Sequence, residues 1–292
     1  MKNIILVTGG AGFIGTNMIK LLLKKTNSKI LSLDNYSSGS KKNHILNKRV
    51  KYLKGSTRNI EKIFYKKKKQ IKVIFHFGEF SRIAQSFKYF SKCFDYNLTG
   101  THNVLKFALD NKIKIIYSAT SSMYSNKGLN ENLSPYTWSK SKNIQMINNY
   151  HKWFKLDFEI VYFFNVYGHG QIKNHEMAAV IGIFEFQFDN NKPLTVVKPG
   201  NQKRDFTHID DIVIGTYLAW KKSKNKEYMI GTNKRYSVKE IAKMFNAKIK
   251  MIPERPGERF NSLKIKNSTF KELNFKPRKS IKKYIQDYIN RD

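Results

Sequence analysis

The sequence predicts an α/β protein built on a doubly wound parallel sheet, and three observations predict it. Short apolar runs of strand length recur through the first 166 residues. Amphipathic stretches long enough for helices separate most of them. A glycine series, Gly9, Gly12 and Gly15, runs from the end of the first run into the start of the first helical stretch. Strands that alternate with helices pair in parallel through right-handed crossovers.

The elements follow in order. "NIILVTG" is a short apolar run ending in glycine, as a buried parallel strand does. Residues 13–25 carry Phe13, Ile14, Met18, Ile19, Leu21, Leu22 and Leu23 between polar residues, which suits a helix. Further strands are expected at 29–35, 50–55, 71–77, 113–120 and 158–166. Long helices are expected at about 86–110 and 134–154. Beyond residue 166 the pattern loosens, and Gly and Pro recur at 168–170, 193, 199–200 and 253–257. The expected division is a nucleotide-binding part over 1–166, to which 206–232 returns as a helix and a strand. Residues 167–205 and 233–292 then form a smaller C-terminal α/β part that binds substrate.

The stretch "VTGGAGFIGTN", from Val7 to Asn17, gives the first functional signal. Glycine inside a helix costs roughly 1 kcal/mol relative to alanine, so this series needs a steric reason. Gly9 permits a tight turn, Gly12 lets the backbone approach a pyrophosphate, and Gly15 lets the helix pack closely on the sheet. Backbone N–H groups and the helix dipole then face the phosphates. The second strand ends at Asp34, where an acid holds an adenosine ribose diol and repels a 2′-phosphate. The pattern is Rossmann-like, and the cofactor it predicts is NAD rather than NADP.

A second signal is "SPYTWSKSKN", with Tyr136 and Lys140 one helical turn apart and Ser134 placed as a cap. An ammonium beside a phenol favours the phenolate and lowers the phenol pKa from about 10. Tyr136 can then act as a base near neutral pH. The fifth strand ends in "YSATSSMY", where Thr120 can hydrogen-bond the same substrate hydroxyl. Strand ends are where open α/β sheets bind ligands. "FHFGEFS" (75–81) places Gly78 after the fourth strand, where a bulky side chain would obstruct a cofactor.

Composition limits the alternatives. The 292 residues are 40% hydrophobic, enough for a sizeable core. A single cysteine, Cys93, excludes an intramolecular disulfide and a cysteine-based zinc site, and no H-x-x-x-H pair occurs. The expected metal is none. The N-terminal apolar run is about five residues, short for a signal core, and no run approaches the ~18 residues of a membrane span. A soluble cytoplasmic protein with no membrane partner is expected. The net charge of +34 invites a nucleic-acid reading. Yet the lysines are spread along the chain among abundant Asn, Ile, Phe and Tyr, as AT-rich coding produces, and no nucleic-acid motif accompanies them. The dense run Lys66 to Lys69 reads as a solvated loop.

Taken together these motifs resemble the extended short-chain dehydrogenase/reductase family, in particular its NAD-dependent nucleotide-sugar epimerases and dehydratases of the UDP-glucose 4-epimerase type. "TGGAGFIG" looks like its cofactor fingerprint, "YNLTGTHNVL" (96–105) like its helix motif with Asn97, and "FFNVYG" (163–168) like its substrate motif with Asn165. "KRDFTHIDDIV" (203–213) and "PERPGERF" (253–260) are similar to its two arginine motifs. The resemblance implies Tyr136, Lys140 and Thr120 as catalytic residues. For the cofactor it implies Gly9, Gly12, Phe13, Ile14, Gly15, Asp34, Asn35, Ser56, Thr57, Phe77, Gly78 and Asn97, beside Tyr136 and Lys140. For the substrate it implies Ser81, Ser121, Ser122 and Asn165, with Arg204 and Arg255 on the nucleotide diphosphate. A UDP-sugar is the default substrate. The resemblance also implies a homodimer through the two long helices, which carry Leu105, Phe107, Ala108, Ile144, Ile147 and Trp153.

The match narrows the reaction. Family dehydratases carry Asp-Glu just after the catalytic Thr, and the decarboxylases carry Glu; here Ser121 and Ser122 stand there. The implied reaction is 4-epimerisation by transient oxidation and re-reduction at C4. A nucleotide-sugar 4-dehydrogenase or dehydratase is the alternative, and a basic RNA-binding scaffold a more remote one. Two positions depart from the family. Ser56 occupies the place of an Asp that reaches adenine, and Glu79 with Phe80 replaces a run of small residues. Glu79 either tunes the chemistry or faces outward. His76, His208, Asp210 and Asp211 read as structural, the last three around a helix start.

Overall fold

The computed structural model describes residues 2–125, 128–258 and 268–291. Its centre is a seven-stranded parallel sheet. The chain enters at β1 (Ile4–Thr8), passes through helix α1 (Phe13–Lys25) to β2 (Lys29–Asp34), and reaches the sheet edge at β3 (Val50–Lys54). The short helix α2 (Ile60–Phe64) carries it back to β4 (Ile71–His76), on the other side of β1. The winding then proceeds outward. Helices α3 (Ile83–Lys88), α4 (Phe90–Phe94) and α5 (Gly100–Asp110) lead to β5 (Lys114–Thr120). A small hairpin, β6 (Tyr124–Ser125) and β7 (Gly128–Leu129), precedes α6 (Pro135–Phe154) and β8 (Phe158–Phe163). The strand order is thus broken between β1 and β4, the switch point above which open α/β sheets bind ligands.

Burial explains the parallel pairing. All five residues of β1 are buried, and β2, β4, β5 and β8 are nearly as covered, as a sheet with helices on both faces requires. Alternate residues serve opposite faces. Ile4 and Leu6 join Phe64, Val104, Phe107, Ile144 and Ile147 on one side. Ile5 and Val7 join Met18, Ile19, Leu22, Ile212 and Val213 on the other.

Beyond β8 the chain forms β9 (Val166–Tyr167), α7 (Val180–Asp189), β10 (Leu194–Val197), β11 (Lys203–Asp205) and β12 (Thr207–His208). Helix α8 (Ile209–Lys222) then covers the sheet, and β13 (Glu227–Ile230) pairs with β8 as the seventh strand. The chain closes with β14 (Arg235–Ser237), α9 (Val238–Met244), β15 (Ile249–Ile252), α10 (Ser268–Leu273) and α11 (Ile281–Ile289). Tyr167, Phe184, Leu194, Val196, Phe206, Ile241, Phe245 and Ile285 make a separate apolar cluster in this outer layer.

Two expectations are corrected. The single helix expected over 86–110 is divided: Tyr89 leaves helical geometry between α3 and α4, and a π-helical turn at Asp95–Thr99 precedes α5. That turn buries Asn97. Of the apolar residues assigned to a subunit interface, Leu105, Phe107, Ala108, Ile144 and Ile147 are buried within the chain, because they are the stripes that cover the sheet. Trp153 is exposed, and Phe90 and Phe154 are exposed large apolar residues of the same helices. Among the described residues no helix is long and apolar enough to cross a membrane, and no group of His, Cys, Asp and Glu could hold a metal ion.

Candidate active site

A cavity of about 440 Å³ opens above the β1–β4 switch point. Its floor is the turn between β1 and α1. Gly9 has a positive φ of 68°, and a Cβ there would lie 2.8 Å from the Phe77 carbonyl carbon. A Cβ on Gly15 would lie 2.2 Å from the Gly9 oxygen, so only glycine lets α1 start this close to β1. Gly12, by contrast, has a single near neighbour, the Gly9 oxygen at 3.2 Å. It is the N-cap of α1 and makes no side-chain cap. A helix start left uncapped presents its first N–H groups to whatever enters the cavity, an arrangement suited to a pyrophosphate.

Asp34 closes this end. Its carboxylate accepts hydrogen bonds from the Ala11 N–H (2.9 Å) and the Tyr36 N–H (2.8 Å). Burial pushes its carboxyl above the usual range, and the Tyr36 and Ala11 bonds oppose that rise. Phe13, Ile14, Asn35, Thr57, Phe77 and Gly78 line the same cavity. Ser56 and Asn97 are not among the lining residues. The Ser56 hydroxyl accepts from the Arg58 N–H and so caps the turn after β3. The Asn97 amide bridges Phe80 and Ser139, holding the loop after β4 against α6.

The opposite end gathers the residues expected to carry the chemistry. Ser134 accepts from the Thr137 N–H and, with Pro135 in the first turn, starts α6. Tyr136 and Lys140 therefore lie one turn apart and both line the cavity. Thr120, at the end of β5, joins them with Ser121 and Ser122. The Thr120 hydroxyl donates to the Ser122 hydroxyl at 3.0 Å. Ser81 and Asn165 are also in the lining, and the Asn165 amide donates to the Asp205 carbonyl at 2.9 Å.

Glu79 does not face outward. Its side chain is buried and ion-pairs with Lys140. It also accepts from Asn143 (2.8 Å), Thr101 (3.0 Å) and Tyr117 (3.1 Å). Lys140 further donates to the Ser118 carbonyl at 2.5 Å. His76, fully buried at the end of β4, continues this net: Nδ1 lies 2.7 Å from the Thr8 hydroxyl and Nε2 lies 2.9 Å from the Thr101 hydroxyl. Thr8 accepts from the N–H groups of Phe77 and Gly78, so it donates to Nδ1, and the proton of the ring is on Nε2. Burial pushes the imidazole down to about 4. Burial likewise pushes the Cys93 thiol up to about 11.

At the third corner Arg204 pairs with Glu258 at 3.0 Å, and Arg255 lies 3.9 Å from the same carboxylate. Asp205 fixes this wall by accepting from the Thr232 and Asn233 N–H groups. His208 caps α8 through the Asp210 N–H, and Asp211 accepts from the Arg278 and Lys279 N–H groups. The last two residues of the second arginine motif, 259 and 260, lie outside the described residues. Arg82, Gln202 and Glu258 are polar or charged lining residues that the sequence expectations did not assign to the site. Glu258 stands inside the second arginine motif, three residues after Arg255, and Arg82 directly follows the stretch that ends at Ser81.

Comparison with known proteins decides the family. The model of the NAD dependent epimerase/dehydratase family matches residues 5–231. The chain belongs to that family. NAD is therefore its cofactor, and the bare glycine turn, the uncapped α1 and Asp34 fit that group. Two family relatives are 31% identical over 82% of this chain. One is a dTDP-D-glucose 4,6-dehydratase of Dictyostelium discoideum, of whose length the match spans 60%. The other is an ADP-L-glycero-D-manno-heptose-6-epimerase of Brachyspira hyodysenteriae, spanned over 79%. Among solved structures, the UDP-glucuronic acid 4-epimerase of Bacillus cereus, in complex with UDP-glucuronic acid and NAD, is 27% identical. Its TM-score is 0.87, with 98% of each chain covered. The family is one of nucleotide-sugar enzymes, and its members include epimerases, dehydratases and decarboxylases.

Proposed function

We propose that the protein is an NAD-dependent nucleotide-sugar 4-epimerase. The observation that carries this reading is the pair Ser121 and Ser122 beside Thr120 and Tyr136 in one cavity. Elimination of water needs a further acid and base there, and two hydroxyls supply neither. The acids lining the cavity, among the described residues, are Asp34, Glu79 and Glu258. Glu79 is committed to four donors, Asp34 stands at the glycine turn, and Glu258 lies between the arginines.

Tyr136 is the base that takes the proton from the sugar hydroxyl, and Thr120 holds the same oxygen. NAD, when bound, supplies a hydride acceptor and donor. Arg204 and Arg255 bind the diphosphate, exchanging Glu258 for phosphate oxygens. The sheet part over 1–166 and 206–232 holds the cofactor, and the outer layer holds the nucleotide. The default base is uracil, and Asp34 selects NAD over NADP by charge repulsion.

The test is incubation of the NAD-loaded protein with UDP-, GDP-, dTDP- and CDP-sugars, with products separated by chromatography and mass. An epimer of unchanged mass supports the reading. Loss of one water would make it a dehydratase, and stoichiometric build-up of the NADH absorbance would make it a dehydrogenase. We also propose a homodimer joined through the exposed Phe90, Trp153 and Phe154. Light scattering at the mass of one chain would refute it.

A further inference from the structure

Glu79 belongs to a net that the reaction outlined above does not use. Its carboxylate is enclosed by four donors from three elements: Lys140 and Asn143 of α6, Tyr117 of β5 and Thr101 of α5, while Glu79 itself sits in the loop after β4. Each of these groups donates to the carboxylate, and Lys140 faces it as an ion-pair partner. Lys140 has three N–H donors, and two are spent, on Glu79 and on the Ser118 carbonyl. Its ammonium also lies 4.7 Å from the Tyr117 ring centroid.

The other titratable groups around this pair carry no charge near neutral pH. His76 is held neutral by burial, at about 4. Cys93 stays a thiol, and the Tyr117 phenol is pushed well above its usual range, by burial first and by Glu79 second. The charges left at this end are Glu79, Lys140 and Arg82, the last of which feels the Tyr136 phenol.

We propose that Glu79 is a positioning residue for the tyrosine base: it pins the Lys140 ammonium and cancels its charge, and so sets the pH range in which Tyr136 ionises. A lysine standing alone favours the phenolate. A lysine matched by a buried carboxylate favours it less. This inference rests on Tyr136 being the base.

The test follows the Tyr136 phenol of the NAD-loaded protein by NMR, with carbon-13 at the tyrosine Cζ. The signal is identified by its loss in Tyr136→Phe. Glu79→Gln is isosteric and neutral, and should lower the titration midpoint by about one pH unit. Glu79→Asp keeps the charge and should hold the midpoint near that of the wild type. Lys140→Met alone leaves a buried anion and should raise the midpoint, and adding Glu79→Gln to it should bring the midpoint back down. An unmoved midpoint in Glu79→Gln, or equal movement in Glu79→Gln and Glu79→Asp, overturns the proposal. If Glu79→Gln does not fold, equal midpoints in Lys140→Met and the double variant overturn it, because the double variant buries no unmatched charge. The titration uses no substrate. Failure of the base assignment would show separately, as retained turnover in Tyr136→Phe.

Discussion

At the β1–α1 turn the cavity wall is bare backbone, made by residues 9 to 15 of one continuous stretch. At Lys140 the wall is Glu79 and Lys140, backed by a net of side chains at positions 8, 76, 101, 117 and 143, gathered from both halves of the sheet. The first end works by leaving atoms out: a Cβ at Gly15 has no room, and a cap at Gly12 would occupy a ligand's place. The second works by adding groups that must satisfy one another, because an unmatched charge or donor at that depth is costly. The difference teaches where each end is fragile. The turn fails by collision, and the net fails by loss of a partner or a proton.

The largest expected effect falls on Tyr136, which lines the cavity one helical turn before Lys140. Tyr136→Phe removes one oxygen that touches the cavity and preserves the ring. Turnover should drop by about 10²–10⁴-fold, while NAD affinity by calorimetry and the melting curve stay close to wild type. Turnover within about threefold of wild type would break the assignment of this end.

The next effect is in stability. The imidazole of His76 is held at about 4 in the fold, below the ~6.5 of an unfolded histidine. In that window the unfolded chain binds more protons, so stability is full above about pH 6.5 and falls as the pH drops toward 4. The loss should be about 3 kcal/mol. Denaturant unfolding of wild type and His76→Gln at a series of pH values measures it. Parallel slopes in the two proteins would mean that the net does not depend on a neutral imidazole.

The smallest effect sharpens the contrast at the turn. Gly15→Ala drives a Cβ into the Gly9 carbonyl and should cost about 1–3 kcal/mol of stability. Gly12→Ala meets only one atom, at 3.2 Å, and should leave stability nearly unchanged while weakening NAD binding. Thermal melts and cofactor titration of the two variants separate the steric role from the binding role. Equal destabilisation by both would erase the distinction.

How much was legible follows the same division. Strand positions, the Asp34 end of β2 and the Ser134 start of α6 could be read locally, because alternation, glycine spacing and caps act over a few residues. The break of the 86–110 segment at Tyr89 could not be read, since no proline or glycine stands there, and Gly100 after the π turn does not by itself mark that turn. It answers to the burial of Asn97 against Phe80 and Ser139. The burial of Leu105, Phe107, Ala108, Ile144 and Ile147 was equally hidden, because an apolar stripe does not say which neighbour it covers.

Glu79 marks the boundary most sharply. The sequence by itself determined that a carboxylate stands where small residues are expected, and it determined the doubly wound fold class, the glycine cradle and the Tyr136–Lys140 spacing. Only the tertiary structure decided that this carboxylate turns inward and meets a lysine 61 positions away, with Thr101, Tyr117 and Asn143 completing its shell. The physical reason is range. Periodicity, turns and caps are set by neighbours along the chain, whereas a buried charge finds its partner through the crossover connections that bring β4, β5 and α6 to one place.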